Sequence, residues 1–219
     1  MPNDQFPESD GKLPEDPQNP QIQQVQTRPL TARVPEPVRR GVFSSGMIVI
    51  TGPTEFVLDF IQNIGPPAQV VARVIVPHAV MPQFIEALRR NWQMYIERFG
   101  TPSEPPRAAV AAGAGRRLTL EEIYDELKIP DELLSGAYAN GLMIGHSASE
   151  FKLDFLTNMY PHSAVSCRVY LAAPQIPRII ESLHVTFVQF QQRLAQQRAE
   201  QERRSGSGPT PPSQPPAAG

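Results

Sequence analysis

The stretch "EFVLDF" at residues 55–60 returns as "EFKLDF" at residues 150–155, and this echo decides the fold. In an extended chain Phe56, Leu58 and Phe60 fall on one side, as do Phe151, Leu153 and Phe155, the period of a half-buried β-strand. Sliding the chain against itself by 95 positions extends the match well beyond six residues. Val34 then meets Ile129, Pro35 meets Pro130, Gly41 meets Gly136, Gly46 meets Gly141 and Phe99 meets Leu194; 18 of 66 positions are identical and no gap is needed. One register held through strands, turn and helix marks a duplication.

Each copy opens with a lead-in, "VPEPVRRG" (34–41) or "IPDELLSG" (129–136), and continues into an apolar run, "VFSSGMIVITG" (42–52) or "AYANGLMIGHS" (137–147). A Gly/Pro/Ser turn follows, then the alternating strand, then a third run, "QVVARVIV" (69–76) or "AVSCRVYL" (164–171). Pairing the second and third runs antiparallel with Phe60 opposite Ala72 keeps every apolar side chain on one face. It also sets Asp59 opposite Arg73 and Asp154 opposite Arg168. These are expected to be structural ion pairs on an outer, solvated face, each contributing a few tenths to about 1 kcal/mol.

Pro82 and Pro177 mark helix starts, where a missing N–H is harmless. Apolar residues then recur at spacings of three and four: Ile85, Leu88, Trp92, Tyr95 and Phe99 in the first copy, Ile180, Leu183, Phe187, Phe190 and Leu194 in the second. That seam suits packing on a sheet or on the sister helix. The predicted fold is α+β: two tandem copies of a three-stranded antiparallel meander followed by a helix, forming one pseudo-two-fold body like a covalent dimer. Residues 1–33 and 205–219, rich in Pro, Gln and Ser, are expected to be disordered arms. The copies span 34–100 and 129–204, the second with an extended helix. The linker, 101–128, carries a short helix over about 119–127, announced by Thr119 and Glu122 at capping-box spacing. Its acidic face is read as solvated surface.

The segments "IPDELLSGAYANGLMIGHSASEFKLDF" and "CRVYLAAPQIPRIIESL" resemble the bacterial and archaeal family known as domain of unknown function 3467. The matching features are "YAN" at Tyr138 to Asn140, the "EF.LDF" strand at Glu150 to Phe155, the Arg168–Val169 pair and a closing helix. In the first copy "FSS" at Phe43 to Ser45 replaces "YAN". The resemblance implies architecture and symmetry, and no activity. A unit of this size is near the lower limit for a self-sufficient core, so the copies are expected to associate within the chain, with further self-association open.

Chemistry finds little support. The four histidines, His78, His146, His162 and His184, have no metal-ligand spacing, and three of them align with Thr51, Pro67 and Arg89. Cys167, the single cysteine, aligns with Ala72 and reads as a small core residue; "GHSAS" (145–149) is not a nucleophile elbow, and no phosphate-binding glycine motif occurs. No enzyme activity, cofactor or metal is expected. The formal charge of −2 gives no global field toward nucleic acid or anionic lipid, and no signal peptide or membrane span is expected, so a cytoplasmic location is the default.

The favoured function is a protein-interaction or assembly module. Its expected surface comprises Val57, Val71, Ile75, Arg89, Arg90 and Arg98, of which the first three become Lys152, Ser166 and Tyr170 in the second copy. The alternative is nucleic-acid binding through the Arg-bearing helices and tail, and a weaker one is a chaperone-like holdase.

Overall fold

A computed structural model describes residues 32–103, 119–159 and 162–206. The expected arm over 1–31, the middle of the linker and the tail beyond 206 lie outside the described residues. The first copy contributes α1 (Glu36–Arg39), β1 (Val42–Ser44), β2 (Gly46–Thr51), β3 (Glu55–Gln62), β4 (Gln69–Pro77) and α2 (Met81–Phe99). Next comes α3 (Leu120–Glu126). The second copy adds a 3-10 turn (Asp131–Leu133), β5 (Ala137–Tyr138), β6 (Gly141–His146), β7 (Glu150–Met159), β8 (His162–Ala172), a second 3-10 turn and α4 (Ile176–Gly206). The protein is α+β, with two four-stranded sheets ordered β1-β8-β7-β6 and β2-β3-β4-β5.

Within each copy three strands run antiparallel. Phe56 faces Val76, Leu58 faces Val74, Asp59 faces Arg73 and Phe60 faces Ala72, while Asp154 faces Arg168. A register shift follows Phe60 in one copy and Phe155 in the other, the same place in the repeat.

The apolar run before each meander departs from the expectation of a single strand and a three-stranded sheet. It breaks in the middle, and the two pieces join different sheets. Val42, Phe43 and Ser44 pair in parallel with Val169, Tyr170 and Leu171 of the second copy, whereas Gly46 onward pairs with β3 of its own. Reciprocally, Ala137 and Tyr138 pair in parallel with Val74 and Ile75. The exchange extends further back, because Arg33 bridges to Ala164 and Lys128 to Gln69, again in parallel. Arg33, placed in the disordered arm from sequence, thus donates its amide to the Ser163 carbonyl at 2.9 Å.

The chemistry of the crossing explains the "FSS" and "YAN" triplets. The middle residue, Ser44 or Ala139, is completely buried and must be small. The third supplies a side-chain oxygen: Ser45 Oγ accepts from the Asn63 amide at 2.9 Å, and Asn140 Oδ1 accepts from the Asn158 amide at 2.7 Å. The two copies therefore make the same crossing with different residues.

The core lies between the two sheets and the two long helices, which pack against each other and also cross over: α2 lies on β6 and α4 on β2. Phe56 of β3 meets Phe190 at 5.4 Å and Phe187 at 6.2 Å between ring centroids. At the equivalent place Phe151 of β7 meets Tyr95 at 5.3 Å and Trp92 at 6.1 Å. Each helix thus clasps the strand of the other copy through the residues 95 positions away from those its sister uses. Of the seam residues, Ile85, Leu88, Tyr95 and Leu183 are buried, Trp92, Ile180, Phe187, Phe190 and Leu194 half-buried, and Phe99 exposed. Both copies belong to one compact unit.

Candidate functional site

The lead-in segments do more than extend sheet edges. Residues 36–41 lie over β8 at Arg168 and Tyr170, and residues 131–136 lie over β4 at Arg73 and Ile75. Gly41 and Gly136 make this approach possible: their φ angles are +66° and +67°, and a Cβ on Gly41 would sit 2.7 Å from Arg168 Cγ and from Tyr170 Cε2. Left-handed backbone pressed against a side chain is a place for glycine.

Under these segments lie the two Asp–Arg pairs. Arg73 Nε and Nη2 each donate at 2.7 Å to the two oxygens of Asp59, and Arg168 does the same to Asp154 at 2.6 and 2.8 Å. The third nitrogen of each guanidinium reaches across the repeat. Arg168 Nη1 donates to the Arg39 carbonyl at 3.0 Å and Arg73 Nη1 to the Leu134 carbonyl at 3.3 Å, and Arg39 and Leu134 are themselves repeat equivalents.

The expectation of solvated surface pairs needs correction. Asp59 is 0 % and Asp154 2 % exposed, because the sister's lead-in roofs the outer face. A buried pair answers to different energetics: its own net value is small, yet removing one partner strands a buried charge. The bidentate hydrogen bonds to Asp59 raise the Arg73 pKa above the ordinary arginine value, against the opposing effect of burial.

The two copies finish these pairs differently. Tyr124, on α3, donates its hydroxyl to Asp59 Oδ2, while Lys152 Nζ lies 3.6 Å from Asp154 Oδ2. Burial first, then the Asp59 hydrogen bond, hold the Tyr124 pKa well above the usual tyrosine value. Tyr124 escaped the sequence reading because it aligns with Pro29, outside the stretch over which the two copies visibly match; the capping box that places its helix, Thr119 with Glu122, was the available signal.

Between the lead-ins and the two third strands lies a cleft of about 290 Å³. Its lining pairs off without remainder under the 95-residue shift: Pro37 with Glu132, Val38 with Leu133, Gly41 with Gly136, Val42 with Ala137, Val71 with Ser166, Ala72 with Cys167 and Arg73 with Arg168. Both copies therefore build it equally. Val71 belongs to this cleft, Ile75 lies beneath Gly136, and Val57, between Ile50 and Ile75, is half-buried. The three valine and isoleucine positions expected to form an open partner surface are thus partly covered from within the chain. Burial, then the nearby Asp154 charge, push the Cys167 thiol up to about 12, unsuited to a nucleophile.

Arg89, Arg90 and Arg98 are exposed on α2. Arg90 lies 3.9 Å from Glu86, and the Arg98 guanidinium sits over the Phe99 ring at 5.1 Å. Among the described residues no cluster of His, Cys, Asp or Glu is arranged to hold a metal ion, and no helix is long and apolar enough to cross a membrane. His78 and His146 instead join the aromatic clusters around Phe56 and Phe151.

A second concavity, about 560 Å³, runs along α4 and is lined by Pro53, His78, Pro82, Phe187, Phe190, Leu194 and Arg198 among others. Its counterpart on α2 is bridged. There the Tyr95 hydroxyl donates to the Ala148 carbonyl at 2.8 Å and Trp92 stacks flat on Tyr95 at 5.3 Å. Phe190 stands where Tyr95 does and has no hydroxyl to bridge to Pro53, the equivalent of Ala148.

Two α+β repeats that complete each other's sheets, with a buried Asp–Arg pair in each, define a tandem-repeat domain protein. The family described as Protein of unknown function (DUF3467) matches the chain twice, over residues 12–104 and 108–196, and the chain belongs to it. No curated protein and no solved structure matches.

Proposed function

We propose that the chain is a non-enzymatic protein-interaction module whose two meander-plus-helix copies form one body about an approximate two-fold axis, a dimer made covalent. The reciprocal lead-ins and the evenly paired lining of the shared cleft support that symmetry. Both buried aspartates are committed to arginine, and the thiol is held protonated, which favours binding over catalysis. The observation that carries the reading is the groove of α4, where Phe190 lacks the hydroxyl with which Tyr95 bridges the equivalent place in the sister copy. Apolar walls with Arg198 at one end suit an apolar segment of a partner protein bearing an acidic residue beside it. A cytoplasmic site of action belongs to the same reading.

Affinity capture from the native host tests it, with wild type, Leu194→Glu and Arg198→Glu as baits and nuclease treatment as a second arm. The expected result is a protein that survives nuclease and is lost with both variants. Capture indifferent to the variants refutes the groove. Capture that vanishes with nuclease, and binding of labelled RNA or DNA that falls steeply with salt, favours the nucleic-acid alternative through Arg89, Arg90 and Arg98.

A further inference from the structure

We propose that the cleft shared by the two copies is a binding site for a compact, uncharged, largely apolar molecule carrying one hydrogen-bond donor, such as an aromatic alcohol or an indole. The inference does not rest on the α4 groove, which lies elsewhere on the protein. Four properties of the cleft carry it.

The first is size. A volume of about 290 Å³ lies at the small end of ligand sites, enough for a compact ring system. The second is charge. Each arginine at its flanks already directs two nitrogens to an aspartate and the third to a carbonyl, so neither offers an uncompensated cation to an anion. Glu132, also on the lining, further discourages one.

The third is the wall itself. Val38, Val42, Leu133 and Ala137 present aliphatic surface from both lead-ins, and the arginine stems press against the glycines beside them. Apolar lining with few polar groups is the usual composition of a small-molecule site. The fourth is the break in symmetry. Where the first copy places Val71 and Ala72, the second places Ser166 and Cys167. Ser166 Oγ spends its hydrogen on the Phe155 carbonyl at 3.2 Å, which leaves its lone pairs as acceptors. On the strand walls, one hydroxyl acceptor on one side only orients a ligand that has one donor.

Ligand-observed NMR and calorimetric titration of the full chain test the proposal with phenol, indole and toluene as neutral probes and benzoate and benzylammonium as charged ones. Expected are saturable binding of phenol and indole at one site per chain, weaker binding of toluene, and none of the ions. Ser166→Ala should weaken phenol by roughly twofold to tenfold while leaving toluene unchanged. Filling the cleft from either wall, with Val71→Phe or Ser166→Leu, should weaken every neutral probe by at least about tenfold. Circular dichroism checks that each variant is folded, and the selectivity of the wild type against ions stands without any variant. Absence of saturable binding by phenol and indole overturns the proposal, as does preference for benzoate or binding indifferent to both filling variants.

Discussion

Replacing Arg168 or Arg73 with Met tests the assignment of the Asp–Arg pairs as buried clamps. Either change removes two charge-assisted hydrogen bonds from an aspartate that has almost no access to water, and it frees a carbonyl of the sister's lead-in. Breaking a buried pair from one side costs about 3–5 kcal/mol, a large fraction of the 5–15 kcal/mol that holds typical domains folded. The two sites should differ. Asp154 keeps Lys152 Nζ at 3.6 Å, so Arg168→Met belongs near the lower figure; among the described residues Asp59 keeps the neutral Tyr124 hydroxyl in place of a cation, so Arg73→Met belongs near the upper. Removing both charges at once, with Asp154→Leu and Arg168→Met together, strands no charge, and Lys152 is exposed enough to turn to solvent. That double variant should lie within about 1 kcal/mol of wild type. Urea unfolding gives the numbers from midpoint shifts at constant m, and amide exchange of β1 reports whether the lead-in loosens in Arg168→Met. Single changes costing under about 1 kcal/mol would mean ordinary surface pairs, and a double variant as unstable as the single ones would mean that the charge argument is wrong.

Two further outcomes follow from the same region. Gly41→Ala must bear positive φ and a Cβ 2.7 Å from two side chains, so it should lose at least about 1–2 kcal/mol in urea unfolding, whereas Gly46→Ala, with nothing within 4 Å of its added Cβ, should be tolerated. The Tyr124 pKa is raised in the folded state, so its contribution is fully present below the unfolded value near 10 and is lost as pH rises beyond it. Stability measured from pH 8 to 11 should therefore fall more steeply in wild type than in Tyr124→Phe; parallel curves would argue against the Tyr124–Asp59 bond.

Much of this was legible in the sequence. Strict alternation at 55–60 and 69–76 fixes which side chains share a face, and a one-residue slip would expose Phe56, Leu58 and Phe60 together. The pairing of Asp59 with Arg73 follows from that register. Their burial did not, because it depends on a segment 60 residues further on that lies across the sheet. The exchange of β1 and β5 was hidden for a similar reason. "VFSSGMIVITG" reads as one apolar run, and only the buried Ser44 and the hydrogen bonds of Ser45 reveal the crossing. A 3-4 seam on a helix likewise says that it packs without saying on which sheet. Tyr124 and the α4 groove lie where the copies differ, outside what repeat alignment reads.

The crossed helices also set a timetable for synthesis. Phe56 finds its ring partners at Phe187 and Phe190, more than a hundred residues downstream. At a translation rate of about 5–20 residues per second, the interval between making the strand and making its cover is roughly 7–27 s. Once α2 is finished at Phe99 the first copy has its meander and its own helix, yet the surface that helix is shaped for, around Phe151, has not been made. The nascent chain thus carries an uncovered apolar sheet while half of the protein is still in the ribosome, and its maturation is a race between elongation and capture by whatever else binds such surfaces.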